Sequence, residues 1–234
     1  MDADRGRVAF TLVELLVVVS ILALLLAVLM PSLAQARRQA AAAVCGSNLK
    51  QVATAFTVYL NDHGDRYPAT DDPVNESPYY WLWMGRGFRR FIGPYLVDDI
   101  NAENPSVLVC PSDPTPADVF EHTSYAYSMA FYHSPEQINA MSSPADTYSS
   151  PQPAFAQMSS RLRRPSRKIL SGEWNSHHQP IAQDSGWWDM RGSRMFLFAD
   201  GHAMKHAADQ IAPARDGLPD PNLTIAGTRG FDVR

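Results

Sequence analysis

The chain has 234 residues and a formal net charge of −4 at pH 7, so it can hold one or two domains and carries no excess of positive charge. Its basic residues cluster only at Arg37–Arg38 and in the Pro-interrupted segment 161–168, which we interpret as a solvated loop. This pattern argues against a nucleic-acid-binding protein. The 18 prolines indicate a domain rich in loops.

An almost uninterrupted apolar segment lies near the N-terminus, between Phe10 and Met30. As an α-helix it would be about 31 Å long, which matches the hydrocarbon core of a bilayer. A buried core helix, a cleaved signal peptide and a retained single-pass anchor are the three interpretations. Ala34-Gln35-Ala36 fits a signal-peptidase site, but the apolar run exceeds the roughly 7–15 residues usual in a signal peptide. We therefore predict a transmembrane helix over residues 10–30.

One acidic residue, Glu14, interrupts this segment. A charge in hydrocarbon costs a few kcal/mol and normally has a partner, but no Lys, Arg or His lies within residues 10–30. Cleavage between Ala9 and Phe10 would supply a partner, because Phe10 would gain an α-ammonium group. In a bundle of identical helices, that group could pair with Glu14 of an axially shifted neighbour. We therefore predict that Glu14 directs assembly.

The stretch AFTLVELLVVVSILALLLAVLMP resembles the class III leader and first helix of type IV pilins and type II secretion pseudopilins. The resemblance implies a leader over residues 1–9, cleavage by a prepilin peptidase after Ala9, and methylation of the new Phe10 amine. It also assigns assembly roles to Glu14 and to Pro31, which falls at position 22 of the mature chain. The family usually has Gly before the cut, where this chain has Ala9.

The same resemblance implies a location and a set of partners. It places the protein in the bacterial inner membrane as a single-pass subunit, with its head in the periplasm or outside the cell. The expected partners are the lipid bilayer, the prepilin peptidase, like or related pilin subunits and the inner-membrane assembly machinery. The protein would then be a structural subunit of a pseudopilus or pilus-type filament in type II secretion or a related system.

Residues 31–62 are predicted to continue the first helix as an amphipathic segment. Good helix formers dominate it, and apolar residues recur at helical spacing along one face. That predicted core-facing stripe comprises Cys45, Leu49, Val52, Phe56, Tyr59 and Leu60. We expect a kink at Pro31 and an end near Gly64, a candidate C-cap.

Residues 63–234 are predicted to form a loop-rich antiparallel β head, which makes the fold α+β and pilin-like. The strand candidates are 106–110, 124–132, 168–174 and 194–198. Asp200-Gly201, between two apolar runs, predicts a hairpin turn. The stretches CGSNLKQVATAFTVYLNDHGDRYP, LVCPSDP and FLFADGH also resemble bacterial prepilin-like proteins with a C-terminal Asp-Gly motif. Many of those proteins have a His ten residues before the Asp, where this chain has Met190.

Two cysteines, Cys45 and Cys110, could form one disulfide in an exported head or remain two buried thiols. Candidate metal ligands gather in the last third of the chain without the spacing of a known zinc motif. These are Glu173, His177, His178, Asp184, Asp200, His202 and His206. We expect no cofactor, but two kinds of ion stay open: a transition metal at these residues, and calcium with oxygens from Asp184, Asp189, Asp200 and Asp209.

The sequence has none of the motifs of an activated serine, a P-loop or a dinucleotide site, so we predict that the protein is not an enzyme. Two alternatives stay open. One is a membrane-anchored enzyme that uses the His- and Asp-rich last third. The other is a glycan- or cell-wall-binding module that uses tryptophans, which we expect to cover the core or line a groove: Trp81, Trp83, Trp174, Trp187 and Trp188.

Overall fold

The computed structural model describes residues 11–69, 88–96, 107–114, 123–143, 146, 153–179 and 181–233. The chain divides into two compact units, Met1–Ala40 and Ala41–Arg234. The described helices are α1 (Leu12–Asp62), α2 (Phe88–Ile92) and α3 (Pro135–Ala140), and the strands are β1 (Tyr125–Tyr127), β2 (Ile169–Glu173), β3 (Ser193–Phe198) and β4 (Ala203–Ala207). Short 3-10 helices lie at Gly93–Tyr95, Met129–Phe131, Ser159–Arg161, Pro165–Arg167, Gly186–Trp188, Ala208–Gln210, Pro221–Leu223 and Gly227–Arg229. The fold is therefore α+β, with a long N-terminal helix and a small antiparallel sheet.

Helix α1 is one helix of 51 residues, and it runs unbroken through Pro31. Its C-terminus is closed as the sequence predicts. Gly64 adopts a left-handed conformation with φ of +61°, and the N–H of Asp65 donates to the carbonyl of Leu60 at 2.8 Å. This is the Schellman arrangement, in which a glycine beyond the helix lets the chain turn back and satisfy an end carbonyl.

The predicted apolar stripe of α1 is buried in the core of the second unit. Cys45, Leu49 and Val52 have no exposed surface, and Leu60 at the end of the stripe is partly buried. Because these residues recur every three or four positions, they lie on one face of the helix. That face packs against the sheet, where the ring of Phe56 stacks on Tyr127 at a centroid distance of 5.6 Å.

Four antiparallel strands form one sheet in the order β1-β2-β3-β4. Neighbouring residues of a strand point to opposite faces, and the core divides accordingly. Tyr127 and Leu197 share a cluster with α1, whereas Phe196 packs on the other face with Trp187. Strands β1, β2 and β3 are buried along their whole length, while β4 exposes the Met204 side chain at the edge.

The predicted strand 106–110 is wrong over its described part, which forms turns and irregular chain. The reason is that Ser124 holds this segment with only one backbone hydrogen bond. Its N–H donates to the carbonyl of Leu108 at 2.8 Å, and its side-chain Oγ accepts from the N–H of Cys110 at 2.9 Å. A hydrogen bond to a side chain therefore replaces the next backbone hydrogen bond of a β-sheet, and strand pairing stops.

The predicted strand 124–132 is correct only over β1. After β1 the chain turns into the 3-10 helix Met129–Phe131. The hydroxyl of Ser128 causes this change, because its Oγ accepts from the N–H of Ala130 at 3.3 Å and caps the turn. Serine competes with the β ladder in this way wherever its side chain reaches a nearby backbone N–H.

Strands β3 and β4 form a hairpin, and Asp200-Gly201 lies in its turn. The N–H of Phe198 donates to the carbonyl of His202 at 2.9 Å, and the N–H of Gly201 donates to the carbonyl of Phe198 at 2.9 Å. Gly201 has φ of +90°, which favours glycine. The Asp200 carboxylate accepts from the N–H of His202 at 3.1 Å, so its role in the turn is structural.

The basic segment 161–168 is only partly the solvated loop that the sequence predicts. Lys168 at its end has no exposed surface, and its Nζ lies 2.9 Å from the Asp232 carboxylate near the C-terminus. A buried ammonium is tolerated only with such a partner. The side chain of Lys168 therefore belongs to the interior of the head.

Candidate functional site

The surface of α1 between Leu12 and Leu33 is apolar and exposed. Its large side chains range from 46% exposed at Val18 to 80% exposed at Leu12. Soluble proteins rarely expose so extended an apolar surface, and such surfaces mark contact with a membrane or another protein. Within the described chain, α1 is the one helix whose length and composition would let it cross a membrane. The interpretation of this segment as a buried core helix is wrong.

Glu14 and Thr11 cap the start of α1 together. The backbone N–H and the hydroxyl of Thr11 donate to Glu14 Oε2 at 2.9 and 2.7 Å, and the N–H of Glu14 lies 3.2 Å from Thr11 Oγ1. This reciprocal pair is a capping box, which satisfies two of the N–H groups left over at a helix start. The sequence carries its signature, Thr-x-x-Glu before an apolar run, although sequence reasoning assigned Glu14 only an assembly role.

The capping box leaves the charge of Glu14 unneutralised. Both donors bond Oε2, and no donor among the described residues bonds Oε1. The nearest cationic side chain later in the helix belongs to Arg37, more than six turns away. Glu14 therefore begins the apolar surface as a carboxylate that has hydrogen bonds but no ion pair with any residue that the structure describes.

Other polar groups of the apolar segment are satisfied within the helix. The hydroxyls of Ser20 and Ser32 donate to the carbonyls of Leu16 and Leu29, at 2.7 and 2.8 Å. Such back-bonding lets serine enter an apolar environment without an unpaired donor. The predicted processing residues, Ala9 and Phe10, lie outside the described residues.

Cys45 and Cys110 form a disulfide that joins α1 to the loop 107–114, with Cα atoms 5.2 Å apart. Both residues are buried, at 0% and 1% exposed. The bridge closes a loop between residues 65 positions apart, for which the chain-entropy model gives a stabilisation of roughly 4 kcal/mol. The structure thus contains the disulfide, which was one of the two alternatives that the sequence left open; the other was two separate buried thiols.

Two of the predicted metal-ligand candidates, Glu173 and His178, lie against this disulfide. Glu173 ends β2 with its carboxylate buried, and its Oε1 lies 2.8 Å from His178 Nε2. Its Oε2 accepts from the N–H of Met195 at 2.8 Å. The same His178 Nε2 lies 3.5 Å from Cys110 Sγ. The ligand atoms of Cys45, Cys110, Glu173 and His178 all lie within 4.8 Å of one another.

Three of the four aspartates proposed for calcium have other partners, and Asp200 is one of them, with His202. Asp184 bonds the Arg194 guanidinium at 2.7 Å. Asp189 bonds Arg191 at 2.8 Å, and this contact holds the pKa of Asp189 at about 2. Among the described residues, these carboxylates join no convergent group of three or more His, Cys, Asp or Glu side chains. The set that does not converge comprises Asp184, Asp189, Asp200 and Asp209.

Among the described residues, the remaining histidine candidates join no convergent group of metal ligands. His202 pairs with Asp200 at 2.6 Å on the hairpin turn. His206 is buried on β4, and burial lowers its pKa. The two rings both pack on Phe198, with centroid distances of 4.3 and 5.6 Å. His177 lies apart from them, 3.4 Å from Asp113, and burial lowers its pKa as well.

The described tryptophans pack into the head. Trp187 is 1% exposed, and its Nε1 donates to the carbonyl of Glu173 at 2.7 Å. Trp174 contacts both Trp187 and Trp188, at centroid distances of 5.7 and 5.3 Å. These three rings cover the core, which is one of the two roles predicted for the tryptophans; the other was to line a groove. Two more lie outside the described residues: Trp81 and Trp83.

The chain was compared with protein-family models, with curated proteins and with solved structures, and none of the three comparisons gave a match. What the molecule does must therefore be inferred from its residues. The exposed apolar helix with its one acid is their most specific feature.

Proposed function

We propose that the protein is a structural, pilin-like subunit that assembles through the N-terminal half of α1 into a pseudopilus or pilus-type filament. The precursor is held in the bacterial inner membrane by this helix, with the head on the far side. A prepilin peptidase removes residues 1–9 and methylates Phe10. The partners are further subunits and the assembly machinery of type II secretion or a related system.

The observation that carries the proposal is an exposed apolar helix surface that begins at a single carboxylate. In the bilayer, lipid covers the side chains between Leu12 and Leu33. In a filament, the same side chains are covered by neighbouring helices, so a subunit can exchange one apolar environment for the other at small cost. This exchange requires the apolar surface that α1 exposes.

Glu14 would favour the transfer of a subunit from the bilayer to the filament. Its Oε2 accepts from Thr11, whereas Oε1 remains able to accept from a neighbouring chain. The α-ammonium of a processed Phe10 would bond Oε1 and neutralise the charge, and attraction between unlike charges is strong where water is excluded. Because one end of the pair is a chain terminus, the contact also fixes the axial stagger between neighbouring subunits.

The capping box allows the charge of Glu14 to be tested apart from its hydrogen bonds. Glu14→Gln keeps the reciprocal cap, since glutamine serves in capping boxes, but removes the charge. We expect this variant to remain in the membrane with its head disulfide formed, and to lose cross-linked oligomers and sheared filaments. Thr11→Ala is the matched variant, because it removes the hydroxyl of the cap at a cost of about 1 kcal/mol but retains the charge.

The two variants together separate the explanations. Assembly that survives in Thr11→Ala and fails in Glu14→Gln supports the ion pair. Wild-type assembly by Glu14→Gln would contradict the proposal that the charge directs assembly. Equal loss in both variants would assign the role to the helix cap instead.

A further inference from the structure

The convergent cluster in the head draws its four residues from three distant parts of the chain. Cys45 belongs to α1, Cys110 to the loop 107–114, Glu173 to the end of β2, and His178 to the segment after it. All four residues are buried, with exposed fractions of 0%, 1%, 0% and 7%. A cysteine pair, an imidazole and a carboxylate that meet in the interior form an uncommon set, because buried charges require compensation.

The geometry of His178 distinguishes a ligand set from a catalytic relay. In a relay, one ring nitrogen faces the nucleophile and the other faces the orienting carboxylate. Here Nε2 faces both Glu173 Oε1, at 2.8 Å, and Cys110 Sγ, at 3.5 Å. His178 Nδ1 is buried without a hydrogen-bond partner in the described structure. The Nε2 atom, the two sulfurs and the carboxylate oxygen therefore surround a common centre, as metal ligands do. Burial also keeps a substrate from reaching the sulfurs.

We propose that the reduced form of the head binds one Zn²⁺ at this centre, through the two thiolates, His178 Nε2 and a carboxylate oxygen of Glu173. Zinc in proteins is commonly tetrahedral, with bonds of about 2.3 Å to sulfur and about 2.0–2.2 Å to nitrogen and oxygen. In such a site the two sulfurs stand roughly 3.8 Å apart. The ligand atoms already lie within 4.8 Å of one another, so after reduction the main change is the separation of the two sulfurs.

The donor set favours zinc over harder ions. Two thiolates select borderline or soft metals, whereas calcium and magnesium require oxygen ligands. The ion would also place positive charge beside the buried Glu173 carboxylate. Zinc and the disulfide exclude each other, because each uses both sulfurs of Cys45 and Cys110. Either one links α1 to the loop 107–114, so the head would keep this connection in both redox states.

Reduction of the disulfide must precede zinc binding. A phosphine reductant attacks the Cys45–Cys110 disulfide, and hydrolysis with one water yields two thiols and the phosphine oxide, so the phosphorus is oxidised and the disulfide reduced by two electrons. Zn²⁺ then displaces the two thiol protons to solvent as both Zn–S bonds form. All four ligands belong to the head, so the site would form whether or not the chain assembles into a filament.

The test uses the full chain in detergent, reduced with a phosphine and titrated with Co²⁺ as a spectroscopic substitute for Zn²⁺. We expect thiolate-to-cobalt charge-transfer bands and intense tetrahedral d–d bands that saturate at one ion per chain and disappear when Zn²⁺ is added. The oxidised chain should give neither band. His178→Gln and Glu173→Gln should weaken Co²⁺ binding by roughly tenfold or more.

Two controls keep the result interpretable. His202→Gln changes an exposed histidine on the hairpin turn and should titrate as the wild type does. The far-UV circular dichroism of each oxidised variant shows whether it has folded. If a ligand variant fails to fold, X-ray absorption of the zinc-loaded wild type decides, with two sulfur and two nitrogen or oxygen scatterers expected. No charge-transfer band in the reduced wild type, a different sulfur count, or unchanged binding by folded His178→Gln would overturn the inference.

Discussion

The ion pair of Lys168 and Asp232 ties the C-terminal segment to the start of β2. Lys168 Nζ lies 2.9 and 3.2 Å from the two carboxylate oxygens, and Asp232 also accepts from the N–H of Ile169 at 2.7 Å. Burial lowers the pKa of Lys168, while the adjacent Asp232 carboxylate opposes that shift. Because both side chains are buried, the removal of Asp232 leaves the Lys168 ammonium without the carboxylate that it contacts, and its other acceptors, the carbonyl of Pro221 and the hydroxyl of Thr224, are uncharged.

Asp232→Ala should therefore destabilise the head by about 3–5 kcal/mol, the usual effect of breaking a buried pair. Urea unfolding of the full chain in detergent, followed by tryptophan fluorescence, measures this change. The exposed pair of Arg229 and Glu136, 3.0 Å apart, supplies the control, since Glu136→Ala should change the free energy of unfolding by no more than about 1 kcal/mol. Similar unfolding midpoints for the two variants would show that the buried pair adds nothing to stability.

Contacts of this kind limit what can be predicted for single residues. Lys168 lies in a basic stretch that reads as solvated, and its partner is 64 positions further along the chain. The grouping of Cys45 and Cys110 with Glu173 and His178 escapes prediction for the same reason, because the four residues come from three distant parts of the sequence. The Thr11–Glu14 cap, by contrast, spans three positions and could have been found from its pattern.

Among the elements, the end of α1 offers a clean test of a local signal. Gly64 has φ of +61°, and a Cβ added there would contact no atom within 4 Å. Gly64→Ala should therefore cost about 1 kcal/mol through backbone strain alone. Gly93 has equally open surroundings and no positive φ, so Gly93→Ala should leave the unfolding midpoint nearly unchanged. Thermal unfolding of both variants checks the difference, and equal midpoints would contradict the role of Gly64 as a required left-handed residue.

Elements were predictable where their signals are short-range. The stripe of α1, its glycine end and the β3–β4 turn each depend on residues within a few positions of one another. The segment 106–110 has the composition of a strand, but its described residues, 107–110, do not form one, because the Ser124 side chain takes the place of a backbone partner. Likewise β1 ends early where Ser128 caps a turn. Strand composition alone does not reveal which polar side chain will replace a backbone partner.

At the scale of the whole molecule, the chain combines a packed, disulfide-linked head with an apolar helix surface that the described structure leaves uncovered. The two compact units differ in this respect: Ala41–Arg234 has its own core, whereas the large apolar side chains between Leu12 and Leu33 are exposed in the described structure. The alpha-plus-beta architecture and the apolar helix follow from hydropathy and periodicity. What covers that helix surface does not follow from the same signals, because hydropathy and periodicity carry no information about the atoms that contact it.

The N-terminal mass of protein extracted from native membranes distinguishes the alternatives for that helix. We expect a chain that begins at N-methylated Phe10, because processing there creates a positive group that could pair with Glu14. A chain that begins at Arg37 would show that the Ala34-Gln35-Ala36 site is cut, although in the structure this site lies inside α1, where the backbone is hydrogen-bonded and must unwind before cleavage. Ala9→Gly is the matched variant and should be processed at the same bond. A functional, assembled protein that retains all residues from Met1 would contradict both processing and the proposed ion pair.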